Sequence, residues 1–303
     1  MGGRLLRGSP RLTRLWLKAN EYHLRATCLL NIPSCVHYLY PENSLFSGLE
    51  WSSSPNLVVT WHQPLSYLEG LPPPFRKHAC AILENAAAVI FLSSDSLRDH
   101  VNYVNIGNAC VIKHGVDADF FHIRPGAANT EPLRVITVGN WLRDHQFWAE
   151  TVGACLAMDS SIRFEVLCDA QNVTRYAQHL PAPDTRVRFV GNLDDEQLRA
   201  FYHRADIGFL PLLGGTANNA LLECMASGVP CVVSDLASTR EYAGSTALFI
   251  SNLDSHAAAE ALISLARSPA RRSQLAASAR ARVEQELAWP IIAKQHFDLY
   301  SGV

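Results

Sequence analysis

Short apolar runs alternate with helical patterns along the second half of the sequence. One helical pattern, Asp194–Arg204, opens with three acidic residues, which are favourable at a helix amino terminus. Strands separated by helices at this spacing predict a parallel sheet with right-handed crossovers, and such sheets bind ligands beyond the carboxyl ends of their strands. The predicted strands are Arg134–Gly139, Arg163–Cys168, Arg186–Val190, Asp206–Leu212, Pro230–Val233 and Ala247–Ile250.

The first half of the sequence carries fewer strand-like runs but has the same α/β character. Its predicted strands are Cys35–Tyr40, Leu57–Trp61, Ala88–Ser93 and Cys110–Lys113. No unit of strand, glycine-rich loop and helix is found before Cys35, because no strand precedes Gly2 and Gly3. The chain has 303 residues. An ordinary domain has about 100–200 residues, so we expect two α/β domains with a short amino-terminal one.

The composition favours buried cores and gives no sign of a nucleic-acid-binding protein. Apolar residues make up 48% of the chain, charged residues 18%, and the net charge is −2. This balance provides no global attraction to nucleic acid. The eight cysteines form no C-x-x-C pair, and the twelve histidines show no H-E-x-x-H or zinc-finger spacing. We therefore expect reduced, buried cysteines in an intracellular protein and no protein-bound metal.

The amino terminus carries basic residues at helical spacing, and its first acid is Glu21. A basic helical face can lie on anionic lipid. A solvated helix broken by Gly8 and Pro10 is one alternative, and a transit peptide is another. No apolar run approaches the roughly 18 residues that span a bilayer. The expected location is the cytoplasm, at the inner face of the membrane if the basic face binds lipid. The basic residues are Arg4, Arg7, Arg11, Arg14 and Lys18.

The segment Asp206–Tyr242 joins an apolar strand to a glycine-bearing loop, a helix and a second strand. The helix is predicted to begin near Asn218, where unpaired amides and the helix dipole favour an anion. Glu223, about a turn further in, supplies a carboxylate that accepts hydrogen bonds from sugar hydroxyls. A diphosphate beside a ribose is the ligand that this pattern suggests. The alternatives are a surface acid that stabilises the dipole and a simple N-cap at Asn218.

The same segment resembles the donor-site motif of glycosyltransferase family 4, retaining enzymes of the GT-B fold that use nucleotide-sugars. That motif reads roughly EGFPNVLLEAMACGTPVVATD and contains an E-x7-E pattern. Aligned without gaps, Glu223 takes the place of the second glutamate and Asn219 that of the asparagine. Gly215 takes the place of the first glutamate. The donor contacts that the resemblance implies in this segment are Thr216, Asn219, Ala220, Leu221 and Glu223.

The resemblance also implies a domain organisation, two Rossmann-like domains facing a cleft, of which the amino-terminal one is incomplete. Val111–Pro125 (VIKHGVDADFFHIRP) resembles the family's interdomain segment, with a predicted positive φ at Gly115 and a stiff exit at Pro125. Trp289–Tyr300 resembles the terminal helix that crosses back to the amino half. The predicted domains are 1–123, on the acceptor side and completed by 290–303, and 124–289, which binds the nucleotide-sugar.

The loop GNWLRDH follows the first strand of the carboxyl half, where the family often places an arginine and a lysine against the diphosphate. Asn140 and His145 occupy those positions here, and Arg143 lies between them. Arg143 is predicted to neutralise the leaving phosphate through bidentate bonds, with a surface pair to Asp144 as the alternative. A backbone platform for the base is implied at the end of the third strand. The donor contacts implied outside the main motif are Gly139, Arg143, Val190 and Gly191.

In the amino half, His62 follows a predicted strand in the run VVTWHQP. The resemblance implies a histidine near this place on the acceptor side, where it bonds a sugar or orients the attacking hydroxyl. A structural histidine is the alternative. Ser93 and Ser94 are predicted to cap a helix around Asp95. The predicted catalytic residues are His62 and Arg143.

The resemblance implies sugar transfer from a nucleotide diphosphate donor to a hydroxyl of a carbohydrate or lipid-linked acceptor, with retention. Polysaccharide or glycoconjugate synthesis is the expected setting. Helix amides near Asn219 and Arg143 are predicted to stabilise the leaving diphosphate, so no metal or other cofactor is expected. A degenerate, non-catalytic relative that binds nucleotide-sugar or a partner is one alternative, and a nucleotide-sugar epimerase is another. A dinucleotide-binding oxidoreductase is least favoured, because no G-x-G-x-x-G follows an early strand.

Overall fold

A computed structural model of the chain describes residues 35–44, 54–124, 132–180 and 182–303. The chain divides into two compact units: unit 1 is 1–113 with 294–303, and unit 2 is 114–293. The domain boundaries predicted near 123 and 289 stay predictions. The basic amino-terminal segment, the run before Cys35 and Pro125 lie outside the described residues.

Unit 1 contains a parallel sheet whose described strands follow one another in the order β1–β2–β3–β4. Val36 pairs with Leu57 at one side of the sheet, and Phe91 pairs with Val111 at the other. All four predicted strands are confirmed to within a few residues at their ends. The strands are β1 Val36–Tyr38, β2 Ser54–Trp61, β3 Ala86–Phe91 and β4 Ala109–Val111.

Helices cover the sheet of unit 1 and bury it. Trp61 and Phe91 project into a core with residues such as Leu68 and Leu83, and the alternate residues Val58 and Ile90 are also buried. A parallel strand buried on both faces reads as a continuous apolar run, as β3 (AAAVIF) and Leu57–Val59 of β2 do. The elements of unit 1 are a 3-10 turn at Pro41–Ser44, α1 Leu65–Gly70, α2 Pro73–Asn85 and α3 Ser94–Tyr103.

The last helix of the chain, α11 (Trp289–Tyr300), begins in unit 2 and ends in unit 1. His37 of β1 ties its end to the sheet of unit 1: the His37 ring lies 2.6 Å from the Tyr300 hydroxyl and 2.7 Å from Oγ1 of Thr60. Burial, with the nearby imidazoles of His296 and His62, lowers the pKa of His37 to about 4. The end of this helix therefore contacts the sheet of unit 1, and the completion of the amino-terminal domain by 290–303 stays a prediction.

Unit 2 contains a parallel sheet of six strands in the order β10–β9–β8–β5–β6–β7. Val138 pairs with Leu167 on one side, and Gly208 pairs with Cys231 on the other. Each strand predicted for this half is confirmed to within a few residues. The strands are β5 Leu133–Val138, β6 Ile162–Leu167, β7 Val187–Val190, β8 Ile207–Leu210, β9 Cys231–Ser234 and β10 Leu248–Ile250.

Successive residues of these strands enter two separate cores, one on each face of the sheet. Ile136 and Leu210 belong to one core, whereas Val135 and Phe209 belong to the other. This alternation is expected of a sheet with helices on both faces. The helices are α4 His145–Met158, α5 Ala170–Ala177, α6 Asp195–His203, α7 Asn219–Ala226, α8 Ala237–Ala243, α9 Ser255–Ala266 and α10 Pro269–Arg282, with a π turn at Val283–Leu287.

The segment after β4 departs from its prediction at one residue. Gly115 does not adopt a positive φ, so that prediction is wrong. A Cβ at Gly115 would lie 2.7 Å from the ring of Trp289, and the amide of Val116 donates to the carbonyl of Leu287 at 2.9 Å. Glycine is therefore required at position 115 by a close approach rather than by a left-handed turn.

Candidate functional site

The strand order of unit 2 reverses between β5 and β8, which lie side by side. In a doubly wound sheet this reversal opens a crevice at the carboxyl ends of the two strands, where ligands bind. The loops after β5 and β8 are joined there by an antiparallel bridge between Arg143 and Leu212. The amide of Leu213 also donates to the carbonyl of Leu142 at 2.9 Å. Both predicted donor-site loops therefore meet at the switch point.

Helix α7 begins where the sequence predicts, with Asn218 as its N-cap. The Asn218 side chain accepts from the amide of Leu221 at 3.0 Å. Asn219 and Ala220 occupy the first two helical positions, where amides need acceptors from outside the helix. A pocket of about 230 Å³, including its part open to solvent, lies in front of this end. Its lining residues are Leu212, Gly214, Gly215, Ala217, Asn218, Leu221, Ser238, Thr239 and Tyr242.

Glu223 lies in the second turn of α7 and points toward α6. Its Oε2 accepts a hydrogen bond from the hydroxyl of Tyr202 at 2.5 Å. Burial raises the pKa of Glu223 to about 7, and the bond from Tyr202 opposes that rise. This environment differs from the surface-acid alternative, because an exposed glutamate that only complements the dipole keeps an ordinary pKa.

Arg143 is buried, with 6% of its surface exposed. Nε donates to the carbonyl of Val138 at 3.1 Å, and Nη1 donates to the carbonyl of Trp141 at 3.0 Å. The alternative of a surface pair with Asp144 is therefore wrong. Burial lowers the pKa of Arg143, and its described bonds are to carbonyl groups rather than to a carboxylate. A buried cation without a carboxylate partner is suited to attract an anion.

Gly139 is required by the position of Arg143. The backbone of Gly139 has φ +102°, and a Cβ there would lie 2.6 Å from Nη2 of Arg143. The glycine therefore admits the guanidinium beneath the loop. This local role is independent of the predicted donor contact at Gly139, which stays a prediction.

Asn140 and His145 stand where glycosyltransferase family 4 often has an arginine and a lysine. Both residues connect the loop after β5 with the segment after β6. Oδ1 of Asn140 accepts from the amide of Asp169 at 3.0 Å. Nε2 of His145 lies 2.9 Å from Oδ1 of Asn172, whose own amide donates to Asp169. Desolvation lowers the pKa of His145, so burial favours its neutral ring. Of Asn140, Arg143 and His145, Arg143 is accordingly the residue that carries a positive charge at neutral pH.

A polar network that the sequence did not predict braces the site. Nδ2 of Asn252, after β10, donates to Oδ2 of Asp144 at 3.2 Å and to the carbonyl of Leu212 at 3.1 Å. Oγ of Ser234, at the end of β9, donates to Oδ1 of Asn252 and accepts from the amide of Leu212, both at 2.6 Å. The loops after β5, β8, β9 and β10 are thereby fixed together. Ser234 and Asn252, polar residues within two positions of the ends of the predicted strands Pro230–Val233 and Ala247–Ile250, were the available signal.

Gly215 and Thr216 lie in the loop before α7. Gly215 has φ +143°, a conformation that a side-chain-bearing residue rarely adopts, and a Cβ there would meet no atom closer than 3.8 Å. The loop therefore has space for a side chain at position 215, but its backbone conformation there is unfavourable for any residue other than glycine. Thr216 is buried, and Leu221 both lines the pocket and packs in the core.

Val190 ends β7, the outermost strand on one side of the sheet, and Gly191 follows it. Three strand spacings separate β7 from β8, which is about 14 Å at ordinary spacing. The Val190 carbonyl accepts from the amide of Cys168 at 3.0 Å. The structure thus places these residues on the same edge as α7 but well apart from its amino terminus.

In unit 1, His62 follows β2 and is held by Glu42, which sequence reasoning missed. The backbone amide of His62 donates to Oε1 of Glu42, and Nδ1 of His62 lies 3.5 Å from the same oxygen. The ring stacks on Tyr40 with centroids 4.3 Å apart. Ser93 is the N-cap of α3 but makes no side-chain capping bond, so the predicted cap is wrong in that respect.

The described residues offer neither a membrane-spanning helix nor a cluster of metal ligands. No helix in the described ranges combines the length and hydropathy that crossing a membrane requires. Within the same ranges, no three His, Cys, Asp or Glu side chains are grouped as metal ligands. Seven cysteines in the described part are free thiols.

Comparison with known proteins connects this fold and site with a class of enzymes. Residues 132–268, most of unit 2, match the family model described as Glycosyl transferases group 1. Phosphatidyl-myo-inositol mannosyltransferase of Mycobacterium leprae (strain TN) is 33% identical over 120 residues, which are 39% of this chain and 32% of that protein. The chain spans about a third of the length of the curated relatives it matches.

Solved structures share the fold over most of the chain. Sucrose-phosphate synthase from Thermosynechococcus elongatus superposes with a TM-score of 0.74 at 21% identity, covering 94% of this chain and 78% of that one. Anabaena HepE in complex with UDP-glucose gives 0.69 at 17% identity, covering 82% and 72%. The chain has the predicted α/β fold of the GT-B class, with two parallel sheets.

Proposed function

We propose that this protein transfers a sugar from a nucleotide diphosphate donor to an acceptor hydroxyl, with retention of the anomeric configuration. The observation that carries the proposal is the switch point of unit 2. There, the amino terminus of α7 opens on a pocket, and Glu223 lies one turn further in. The match of residues 132–268 to Glycosyl transferases group 1 supports the same function.

The donor is bound by unit 2 in this proposal. The diphosphate faces the first-turn amides of Asn219 and Ala220, and Glu223 accepts hydrogen bonds from the ribose hydroxyls. Arg143 contributes positive charge from beneath the β5 loop. As the sugar–phosphate bond breaks, the growing charge on the diphosphate is stabilised by these preorganised groups, which requires no metal ion.

The acceptor is a carbohydrate or a lipid-linked sugar, and His62 orients its hydroxyl. Glu42 supports this role because its carboxylate accepts from the backbone amide of His62 and lies 3.5 Å from Nδ1 of the ring. Peripheral membrane contact through the basic amino terminus belongs to the same proposal for a lipid-linked acceptor.

Thermal unfolding with UDP-, GDP- and ADP-sugars tests donor binding. One of these donors is expected to raise Tm by several degrees, and Glu223→Ala is expected to abolish that rise. The matched control is Glu150→Ala, because Glu150 is an exposed glutamate of α4. An unchanged shift in Glu223→Ala contradicts the ribose role, and no shift with any donor contradicts the function.

A transfer assay with the donor so identified separates the alternatives. Transfer to an added sugar acceptor, with the product anomer assigned by proton NMR, supports the proposed reaction. Binding without turnover favours the non-catalytic relative, which the glycine at position 215 makes a specific candidate. Conversion of the free donor sugar without acceptor favours the epimerase.

A further inference from the structure

Tyr202 and Glu223 come from different helices and meet through a hydrogen bond, and Tyr202 belongs to the same core cluster as the pocket-lining Leu221. We propose that Tyr202 is a positioning residue that orients Glu223 and keeps it an acceptor for the ribose of the donor. This inference rests on the proposed function, because it assigns a second residue to the same site. It makes donor affinity depend on pH near neutrality.

The geometry limits what the carboxylate can do. The Tyr202 hydroxyl donates to Oε2 at 2.5 Å, which leaves Oε1 as the oxygen for a ligand hydroxyl. The Tyr202 side chain has 0% exposure, and the ring of Phe121 meets it edge-on with centroids 5.7 Å apart. A fully buried phenol held by aromatic neighbours is a rigid donor, so it fixes the rotamer of Glu223.

Tyr202 is the main group near Glu223 that favours its ionised form over its protonated form. No lysine or arginine in the described part of the chain forms an ion pair with Glu223. The titratable groups that face Glu223 are Tyr202 of α6 and Cys224 of α7. The thiol of Cys231 in β9 is hydrogen-bonded to that of Cys224. The charge of Arg143 interacts with Tyr202 and Cys224 rather than directly with Glu223. Arg280 of α10 is bound to a different group, because it donates to the Ala226 carbonyl at 2.8 Å.

The consequence for binding follows from the protonation state. Burial raises the pKa of Glu223 to about 7, so below that pH the group is largely a neutral acid. A protonated carboxyl loses acceptor capacity for ribose hydroxyls. Donor affinity therefore rises with pH through about 7, and loss of the Tyr202 hydroxyl moves that rise to higher pH.

Calorimetric titration with UDP, GDP and ADP between pH 6 and pH 9 provides the test. In Tyr202→Phe the midpoint of the affinity curve is expected to move up by about one pH unit, which weakens binding at pH 7 by about fivefold. Glu223→Gln is expected to bind weakly with a flat curve. Tyr176→Phe is the matched control, because Tyr176 is equally buried and its hydroxyl has no partner among the described residues.

Direct titration of Glu223 separates this inference from the proposed function. Carbon-13 NMR of glutamate-labelled protein follows the carboxyl resonance that disappears in Glu223→Gln. A wild-type midpoint near 7 that rises in Tyr202→Phe supports the inference, even if no nucleotide binds and the proposed function fails. A midpoint near the ordinary value of 4.5 overturns it, whether or not Tyr202→Phe folds. Nucleotide binding with equal pH curves in wild type and Tyr202→Phe also overturns it.

Discussion

The two parallel sheets of this protein differ in how the polar groups at the carboxyl ends of their strands are hydrogen-bonded. In unit 2 the strand order reverses, and polar side chains such as Asn252 and Ser234 bond to one another and to the adjacent loops. In unit 1 the described strands follow in sequence order, and buried polar atoms of Gln63, Ser93 and Glu42 lack partners among the described residues. Buried polar atoms need a partner, from elsewhere in the protein, from water or from a ligand. The comparison distinguishes a preorganised edge from one whose polar groups need a further partner.

The largest effect is expected from removing the cation beneath the β5 loop of unit 2. Arg143→Met leaves the buried carbonyl of Val138 and the part-buried carbonyl of Trp141 without their donor. We expect the free energy of unfolding to fall by about 4 kcal/mol, since each unsatisfied buried group costs roughly 1–3 kcal/mol. Urea unfolding measures the change, and nucleotide affinity is expected to fall with it. Arg188→Met, at an exposed arginine of β7, is the control. Equal stability of the two variants contradicts a braced loop.

The buried carboxylate of unit 2 gives a pH-dependent prediction. The pKa of Glu223 is raised in the folded protein to about 7 from 4.5, so the folded state binds more protons between these values. The contribution of Glu223 to stability is therefore lost as pH rises from about 4.5 to about 7. Glu223→Gln does not titrate, and we expect it to be more stable than wild type by roughly 3 kcal/mol at pH 8 but not at pH 4.

Thermal or urea unfolding of both proteins across this pH range measures the difference. A constant difference between wild type and Glu223→Gln contradicts the buried, titrating carboxylate. Glu150→Gln, at an exposed glutamate, is expected to show no such trend.

Sequence patterns predicted the strands and the start of α7, because apolar runs and an N-cap are local properties. Pro230–Val233 was predicted where Cys231–Ser234 is observed, a shift of one residue. The order of the strands was not predicted, since neighbours such as β5 and β8 are separated by three crossovers. The pairs Tyr202–Glu223 and Glu42–His62 were missed for the same reason. Each joins residues about twenty positions apart through packing between elements, and no spacing encodes it.

The next prediction concerns Glu42, which holds His62 at the carboxyl end of β2 in unit 1. Glu42→Gln keeps an acceptor for the amide of His62 but removes the charge beside its ring. We expect a stability loss of about 1–2 kcal/mol, as for a bond to a charged group. We also expect lower kcat/KM for the acceptor with unchanged nucleotide affinity. Calorimetry and transfer kinetics measure both, with Glu84→Gln, at an exposed glutamate of α2, as control. Weakened nucleotide binding in Glu42→Gln contradicts the division between donor and acceptor sides.

The smallest expected effect concerns the position where the first acid of the motif is absent. Gly215 has φ +143°, so Gly215→Glu is expected to destabilise the protein by about 1 kcal/mol without tightening donor binding. Gly214 is the matched control, because it has no positive φ and a Cβ there would meet nothing within 4 Å. Gly214→Ala is therefore expected to be neutral and Gly215→Ala to be destabilising in urea unfolding. A gain in donor affinity from Gly215→Glu would mean that the loop moves readily, and unit 2 would then lack the rigid edge that distinguishes it from unit 1.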